Sequence, residues 1–312
     1  MRTCVLFVLL ACMACTHHPP AAQCNADPLP AEARHILHFG FVAVDCSLQD
    51  HSDAALKDWY GDEVSGFTNV AHTCAFEPST DIKGRVERLN KLGIKGMVDV
   101  QALLFRANGN GSNSRIELHP DHQARWQQFL STNAAVLDAQ HVAGIYLADE
   151  PFLNNASADD VAAAAHLVKA ALPAVPLMLV EGYPALDKLV VPKEVDWVAF
   201  DRYFIVNPVS DSAYQQDLAT LKSKLSRPEQ RVWIILDAQW RADNGGISRE
   251  QMKEVAQHYW ELATQLPEVV GVMGYLWPGT LDMPFQQGAR DLPDSVIREY
   301  QRFGCQVVNT PR

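Results

Sequence analysis

The segment from Gly144 to Pro151 reads Gly-Ile-Tyr-Leu-Ala-Asp-Glu-Pro. Its first five residues form a short apolar run, as expected for a strand that is covered on both faces. Two acids, Asp149 and Glu150, stand directly where the run stops. The segment therefore predicts a buried strand that presents carboxylates at its carboxyl end.

Short apolar runs of this kind recur along the chain. Seven others lie at His35–Val44, Phe67–Thr73, Gly96–Gln101, Leu177–Val180, Trp197–Phe200, Val232–Leu236 and Gly271–Leu276. Amphipathic stretches fill most of the gaps between them, at Ala54–Tyr60, Ile82–Leu92, His122–Gln140, Ala158–Leu172, Ser212–Leu225, Arg249–Leu266 and Ser295–Phe303. Strand and helix thus alternate at a spacing of about 30 residues, which indicates parallel strands joined by crossover helices.

Eight such units predict an α/β fold, a single (β/α)₈ TIM barrel over residues 31–312. An open doubly wound sheet is the alternative. That fold usually carries a Gly-rich phosphate loop after its first strand, whereas Asp45-Cys46-Ser47-Leu48 contains no glycine. A long polar loop, Arg106–Asn113, follows the third strand.

The amino-terminal residues predict export. Arg2 and the apolar run Cys4–Ala14 have the order of a secretory signal and are too short to span a membrane, which assigns residues 1–14 to a signal peptide. The sequences ending at Cys15 and at Cys12 both resemble the lipobox of bacterial lipoproteins, whose cysteine is lipidated. The resemblance implies an outer-membrane or periplasmic lipoprotein of the cell envelope, held at the membrane through this anchor alone. An ordinary cleaved signal is the alternative, and residues 15–30 are expected to form a tether.

Charge and cysteine content limit the partners. The net charge of −11 argues against nucleic acid and is compatible with a neutral or cationic substrate. With Cys15 lipidated, four cysteines remain, and barrel geometry favours the disulfides Cys46–Cys74 and Cys24–Cys305 over buried free thiols. No spacing indicates a zinc site, so we expect neither metal nor cofactor, and we expect a monomer.

Acids or aromatic residues stand where several of the later strands end. Because barrel active sites form at the carboxyl ends of the strands, these residues are expected to meet. They are Glu150, Glu181, Asp201 with Arg202 and Tyr203, Asp237 and Trp277. Glycosidic cleavage requires one carboxylic acid to protonate the leaving oxygen and a second carboxylate. Crowding of acids raises at least one pKa, which keeps a proton available.

These strand ends resemble the clan A glycoside hydrolases. The resemblance implies that Glu150 is the general acid/base, that Tyr203 is the tyrosine after strand six, and that Trp277 is the substrate-stacking tryptophan after strand eight. Two residues depart from the pattern. Asp149 stands where that clan has Asn, and Asp237 stands where it has the nucleophilic Glu.

The Asp149-Glu150 pair is also similar to that of barrel hexosaminidases that use substrate assistance. The similarity implies that Asp149 orients a 2-acetamido group while Glu150 is the acid, so that no protein nucleophile is needed. Asp149 and Asp237 therefore compete as the second carboxylate.

Further residues are candidates for binding a carbohydrate substrate. Flat rings suit the C–H faces of sugars, which points to Trp277, Trp240 and Tyr203. The polar candidates are Asp201, Glu181, Arg202 and His72. The leading hypothesis is an exported glycoside hydrolase. The competing hypothesis is a non-catalytic envelope lipoprotein that binds glycan or a protein partner at the same barrel end.

Overall fold

The computed structural model describes residues 24–47, 57–109, 114–281 and 283–312. Eight parallel strands close into a barrel, in the order β1-β2-β3-β6-β7-β8-β9-β10 with β10 paired to β1. Their bounds are β1 His38–Asp45, β2 Val70–Cys74, β3 Lys95–Asp99, β6 Val142–Asp149, β7 Leu177–Gly182, β8 Trp197–Asp201, β9 Arg231–Asp237 and β10 Val269–Tyr275. The predicted TIM barrel is confirmed. The predicted signal residues, Cys12 and Cys15 lie outside the described residues.

Six of the seven predicted amphipathic segments form helices in the predicted order, and one short helix, at Gln101–Leu104, was not predicted. Their bounds are α1 Gly61–Val64, α2 Lys83–Lys91, α3 Gln101–Leu104, α4 His122–Asn133, α5 Ala158–Ala171, α6 Ser212–Ser223, α7 Met252–Gln265 and α8 Asp294–Val308. The prediction for the first helix was wrong, since residues 57–60 are not helical and the short α1 begins only at Gly61. Within the described ranges, no helix has the length and apolar content needed to cross a bilayer.

The polar stretch after β3 contains more structure than the sequence indicated. Strands β4 (Phe105–Asn108) and β5 (Arg115–Leu118) pair antiparallel. They form a hairpin, and residues 110–113 between the two strands are not among the described residues. Arg106 donates to Glu117 across this pair, at 2.8 Å from Nη2 to Oε1. The hairpin therefore extends the barrel on the side of β3.

Two helix starts show the expected capping. Ser157 Oγ accepts the Asp160 N–H at 3.0 Å before α5. Ser248 and Gln251 cap each other, since Gln251 Oε1 accepts the Ser248 N–H at 2.9 Å and Ser248 Oγ accepts the Gln251 N–H at 3.2 Å. This reciprocal pair is a capping box, and α7 begins directly after it at Met252.

The amino end of the barrel is closed by aromatic rings. The His38 ring lies 5.1 Å from that of Trp233 and 5.3 Å from that of Trp197, measured between centroids. Gly271 makes room for this layer, because a Cβ there would overlap the Trp233 indole. Burial lowers the pKa of His38 to about 3, so this layer of rings is uncharged at neutral pH. The aromatic layer therefore fills the interior of the barrel at its amino end.

Both predicted disulfides are present. Cys46 bonds to Cys74 between the ends of β1 and β2, and Cys24 bonds to Cys305 on α8. The second bond is reinforced by Asn309 Nδ2, which donates to Ala26 O at 2.8 Å, and by the Leu29 N–H, which donates to Thr310 Oγ1 at 2.9 Å. Residues 24–30 of the predicted tether therefore belong to the folded domain.

Loss of the terminal disulfide should destabilise the fold. Cys24 and Cys305 are 281 residues apart, so their bond restricts the unfolded chain strongly. We expect Cys24→Ala with Cys305→Ala to lower the free energy of unfolding by about 2–5 kcal/mol in urea titrations. The wild-type chain is the reference, and an unchanged midpoint in the double variant would show that the bond contributes nothing.

Candidate active site

A cavity of about 320 Å³ opens at the carboxyl end of the barrel. It is lined by Val42, Ala43, His72, Cys74, Phe76, Asp99, Tyr146, Asp149, Val180, Asp201, Tyr203, Ile235, Tyr275 and Leu281. The volume is at the lower end of the range for small-molecule sites. Three of the lining residues are aspartates from three different strands, and no lysine or arginine is among them.

Asp149 ends β6 and faces this cavity. Its Oδ1 accepts the Tyr146 hydroxyl proton at 2.5 Å, and its N–H donates to Gln101 Oε1 at the start of α3. Burial, together with the charge of Asp149, raises the pKa of Tyr146 well above its ordinary value, so the phenol remains a donor. Tyr146 therefore orients the Asp149 carboxylate and Gln101 holds the Asp149 backbone, while the residue remains exposed to solvent.

Glu150 lies beside the cavity, above the end of β7. Its backbone has a φ of 45°, in the left-handed region that non-glycine residues seldom adopt. Its N–H donates to Val180 O at 3.0 Å. The carboxyl group rests against Gly182, where a Cβ would overlap Oε1 of Glu150. The missing side chain at position 182 is therefore what leaves space for the Glu150 carboxyl.

Glu181 lies beneath the Glu150 loop, not in the cavity. On β7 the residues Met178 and Val180 face the barrel interior, so Glu181 faces the helix side. Its carboxylate accepts backbone N–H groups from Phe152 at 2.9 Å and from Leu153 at 3.2 Å. Burial raises the pKa of Glu181 to about 7. The structure gives this predicted binding residue the role of holding the loop that carries Glu150.

Asp201 is the acid with the strongest surrounding negative field. It ends β8, is 8% exposed, and accepts the Tyr203 hydroxyl proton at 3.0 Å. Burial first, and then the charges of Glu150 and Asp149, raise its pKa well above the ordinary value. Asp201 therefore holds its proton more readily than an ordinary aspartate does. Tyr203 also lines the cavity and packs 5.2 Å from Tyr275 between ring centroids.

Asp237 has no open access to the cavity. It ends β9 as predicted but is 1% exposed. Its Oδ2 accepts the Phe204 N–H at 2.7 Å, which anchors the loop after β8. Burial raises the pKa of Asp237 to about 7. In this structure Asp237 supports a loop through Oδ2, its Oδ1 is buried without a hydrogen-bond partner in the described part of the chain, and the residue is not among those lining the cavity.

Trp277 lies on the other side of the barrel wall. Its ring is 4% exposed and packs 4.8 Å from Phe41 between centroids, and its Nε1 donates to Glu63 Oε2 at 2.7 Å. The physical reason is that the inward-outward alternation breaks after Tyr275: Leu276 packs with the barrel interior, Tyr275 lines the cavity, and Trp277 packs with the helix-side cluster. Tyr275 thus takes the position predicted for the tryptophan.

Trp240 and Arg202 also lie outside the cavity lining. Trp240 Nε1 donates to Ile247 O at 2.8 Å within the loop after β9. Arg202 forms an ion pair with Asp217 on α6, and its guanidinium lies 4.6 Å from the centre of the Tyr183 ring. Both side chains are therefore engaged in local structure.

His72 and Asp99 face each other across the cavity wall. His72 Nδ1 accepts the Ala43 N–H at 3.3 Å, and its Nε2 lies 3.3 Å from Asp99 Oδ2. His72 was a predicted site residue, whereas Asp99 was missed because the predicted third strand ran through it to Gln101. The alternation of Met97 inward and Val98 outward would have placed Asp99 inward at the strand end.

One group in the described part of the chain has the geometry of a metal site. Cys46, His72 and Cys74 place one ligand atom each within 4.8 Å of one another. Because the two sulfur atoms are joined in a disulfide, no thiolate is available to bind an ion. The acids of the cavity do not form a comparable cluster among the described residues.

Solved glycoside hydrolases share this fold. A GH113 β-1,4-mannanase matches 86% of this chain and 99% of its own length, with a TM-score of 0.54 and 8% identity. A variant of the Cellvibrio japonicus xylanase Xyn10A matches 86% of this chain and 97% of its own, with a TM-score of 0.53 and 12% identity. Saccharomyces cerevisiae Gas2p with laminaritetraose and laminaripentaose matches 88% of this chain, with a TM-score of 0.54 and 10% identity, and this chain spans 64% of its length.

Comparison by sequence gave a different result. No protein-family model matches the chain, and no curated protein sequence does. The identities of 8–12% to the solved structures establish the shared barrel and do not establish a shared activity.

The buried acid beneath Glu150 should make stability depend on pH. The pKa of Glu181 rises from 4.5 to about 7 in the folded chain, so between these values the folded state holds a proton that the unfolded state has lost. Stability from this residue is therefore present below about pH 4.5 and lost as pH rises toward about 7. Gln resembles the protonated form. We expect the free energy of unfolding of the wild type to fall, relative to Glu181→Gln, across this pH interval.

The measurement is a set of urea titrations at pH values between about 4.5 and about 7.5. Glu229→Gln is the matched control, because Glu229 is 68% exposed in the loop before β9 at the opposite end of the barrel. A difference between wild type and Glu181→Gln that stays constant with pH would show that Glu181 does not titrate in this interval.

Proposed function

We propose that this chain is an exported glycoside hydrolase that cleaves a glycosidic bond in a polysaccharide or oligosaccharide. Glu150 is the general acid and Asp149 the second carboxylate. The observation that carries the proposal is the meeting of Asp149, Glu150 and Asp201 at the open end of a closed barrel, where burial and then the charges of Glu150 and Asp149 raise the pKa of Asp201. Few reactions need a proton donor and carboxylates in one confined site as directly as glycosidic cleavage.

The electrostatics supply both requirements of that reaction. An ionised carboxylate stabilises the positive charge that develops on the sugar, and a protonated carboxyl delivers a proton to the leaving oxygen. Like-charge repulsion separates the pKa values of adjacent acids, so that one of them keeps its proton near neutral pH. Asp149 is exposed and held by Tyr146, whereas Asp201 is buried. The group can therefore contain a protonated and an ionised carboxyl at the same time, and in this proposal Glu150, whose charge contributes to the raised pKa of Asp201, is the member that delivers the proton.

Asp149 is favoured over Asp237 as the second carboxylate. Its oxygens face the cavity, whereas Asp237 is buried and occupied by the Phe204 N–H. Asp149 acts as a base toward water or by orienting a 2-acetamido group of the substrate. Neither route needs a nucleophile on β9. This agrees with the sequence, which has Asp237 where the clan A pattern has the nucleophilic glutamate.

The structural neighbours are consistent with a carbohydrate substrate. They include a β-1,4-mannanase, a xylanase and Gas2p in complex with laminari-oligosaccharides. Export is supported by the two disulfides, since disulfides persist in oxidising compartments. We propose lipidation at Cys15 or Cys12 and a monomeric state as parts of the same model.

Removal of the proposed acid should abolish turnover without unfolding the chain. Glu150→Gln keeps the size of the side chain and its contact with Gly182 but cannot deliver a proton. We expect kcat to fall by about 10²–10⁴-fold, with an unchanged urea midpoint. Release of reducing ends from candidate polysaccharides is the readout, Glu229→Gln is the control, and full activity of Glu150→Gln would exclude Glu150 as the acid.

The two candidates for the second carboxylate can be separated. Asp149→Asn removes the charge that faces the cavity, so kcat should fall by about 10²-fold or more. Asp237→Asn retains an oxygen for the Phe204 N–H, so kcat should change by less than about tenfold. A covalent sugar adduct trapped on Asp237 would contradict this assignment and restore Asp237 as the nucleophile.

A second candidate function is glycan or partner binding without catalysis. The burial of Asp237 favours it, because the strand end that carries the nucleophile in clan A enzymes offers none here. It predicts that glycan binds equally well to the wild type and to Glu150→Gln, with no reducing ends released by either.

A further inference from the structure

We propose that Cys46, Cys74 and His72 form a zinc site at the cavity wall once the Cys46–Cys74 disulfide is reduced. The ligands are two thiolates and the imidazole Nδ1, a donor set that suits Zn²⁺. In the described part of the chain these residues place one ligand atom each within 4.8 Å of one another. The inference goes beyond the proposed function, because the proposed glycosidic cleavage assigns no step to any of the three.

The imidazole of His72 already stands at the spacing of a metal ligand. Its Nδ1 lies 3.4 Å from Cys46 Sγ and 3.9 Å from Cys74 Sγ. Zn–N bonds of about 2.0 Å and Zn–S bonds of about 2.3 Å, set at a tetrahedral angle, separate nitrogen and sulfur ligands by about 3.5 Å. A zinc ion therefore fits among these atoms once the two sulfur atoms have separated, with little movement of the ring.

The other side of the ring has the neighbour that zinc-bound histidines usually have. His72 Nε2 lies 3.3 Å from Asp99 Oδ2. Histidine ligands commonly direct their second ring nitrogen toward a carboxylate, which fixes the tautomer and the ring orientation. On the sulfur side, Nδ1 accepts the Ala43 N–H at 3.3 Å, beyond the usual range of such bonds. Metal coordination at Nδ1 therefore replaces a weak hydrogen bond.

Arg85 holds the two strand ends together independently of the disulfide. Its Nε donates to Oδ1 of Asp45, the residue before Cys46, at 2.9 Å, and its Nη1 donates to Cys74 O at 2.9 Å. Asp45 is also opposite Thr73 in the pairing of β1 with β2. None of these contacts involves a sulfur atom. The two thiol groups therefore stay next to each other on the barrel after the S–S bond is broken.

The cavity gives access to this site from one side. Cys74 and His72 line the cavity and are 5% and 7% exposed, whereas Cys46 is 1% exposed. Three protein ligands leave the fourth position of a tetrahedral zinc ion to water. We expect that position to face the cavity, since two of the three ligand residues line it.

Opening of the disulfide takes two electrons, which a dithiol supplies by thiol–disulfide exchange. One thiolate of the dithiol attacks Cys74 Sγ, the S–S bond breaks, and Cys46 leaves as a thiolate. The second thiolate of the dithiol then attacks the dithiol's own sulfur in the mixed disulfide and releases Cys74. The dithiol is oxidised to its internal disulfide, both cysteines are reduced, and two protons from the dithiol pass to solvent when Zn²⁺ binds the two thiolates.

The test uses Co²⁺ as a spectroscopic probe, because thiolate ligands give Co²⁺ a charge-transfer absorption that oxygen ligands do not. The chain is reduced with a phosphine, which is removed before the titration. The control is Cys46→Ser with Cys74→Ser, which keeps every other cysteine. We expect the reduced wild type to bind one Co²⁺ per chain more than the reduced control, with a thiolate absorption that Zn²⁺ abolishes. The oxidised wild type should lack this absorption.

Two further variants test the histidine and its carboxylate neighbour. Asp99→Asn keeps an oxygen for the Gln101 N–H, which Asp99 Oδ1 accepts at 2.8 Å, but removes the charge beside His72. We expect it to weaken Zn²⁺ binding by about tenfold. His72→Gln removes the imidazole and should weaken binding more strongly. Glu229→Gln makes the same change of net charge as Asp99→Asn at the opposite barrel end and should have no effect.

Urea titrations of the reduced chains show whether the metal binds the folded barrel. Zn²⁺ should raise the unfolding midpoint of the wild type and leave that of the double serine variant unchanged. A midpoint that does not rise in the wild type would overturn the inference. Equal Co²⁺ uptake by the wild type and the double serine variant would also overturn it, as would undiminished Zn²⁺ binding by His72→Gln or by Asp99→Asn.

Discussion

Closure of the barrel between β1 and β10 is the constraint on which the candidate site depends. Because all eight barrel strands are parallel, closure brings every carboxyl end to one rim. The layer of His38, Trp197 and Trp233 fills the other end. Acids that are far apart in sequence, such as Asp99 and Asp201, then share one cavity. The mutual repulsion of the acids that line the cavity is therefore a consequence of the strand topology.

The sequence was sufficient for the architecture because barrel strands and helices are marked by local patterns. The apolar runs predicted all eight strands, and the cysteine positions predicted both disulfides. Local patterns could not decide where a strand ends to within two residues, which is the distance that matters at the rim. With β10 ending at Tyr275, the tyrosine faces the cavity and Trp277 packs on Phe41. A small error in a boundary thus exchanged one aromatic candidate for another.

Other residues of the site were decided by tertiary contacts that no sequence pattern records. Glu181 and Asp237 stand at strand ends as expected, but each accepts backbone N–H groups of a neighbouring loop. Phe204 is 33 residues from Asp237. Nothing in either segment indicates this contact before the strands are paired. The alternation along β3 would have revealed Asp99, had its end been placed correctly.

The buried Glu181 and the neighbouring Gly182 explain how Glu150 can hold its unusual backbone conformation. A left-handed, non-glycine residue persists when its surroundings fix it, and here the Glu181 carboxylate fixes the residues that follow while Gly182 leaves space for the side chain. On β9, the shorter Asp237 has become the anchor of the β8 loop. The carboxyl groups that line the cavity are consequently on β3, β6 and β8, and none of them is on β9. Carboxylates on those strands are placed to stabilise the positive charge that develops on a sugar during glycosidic bond cleavage.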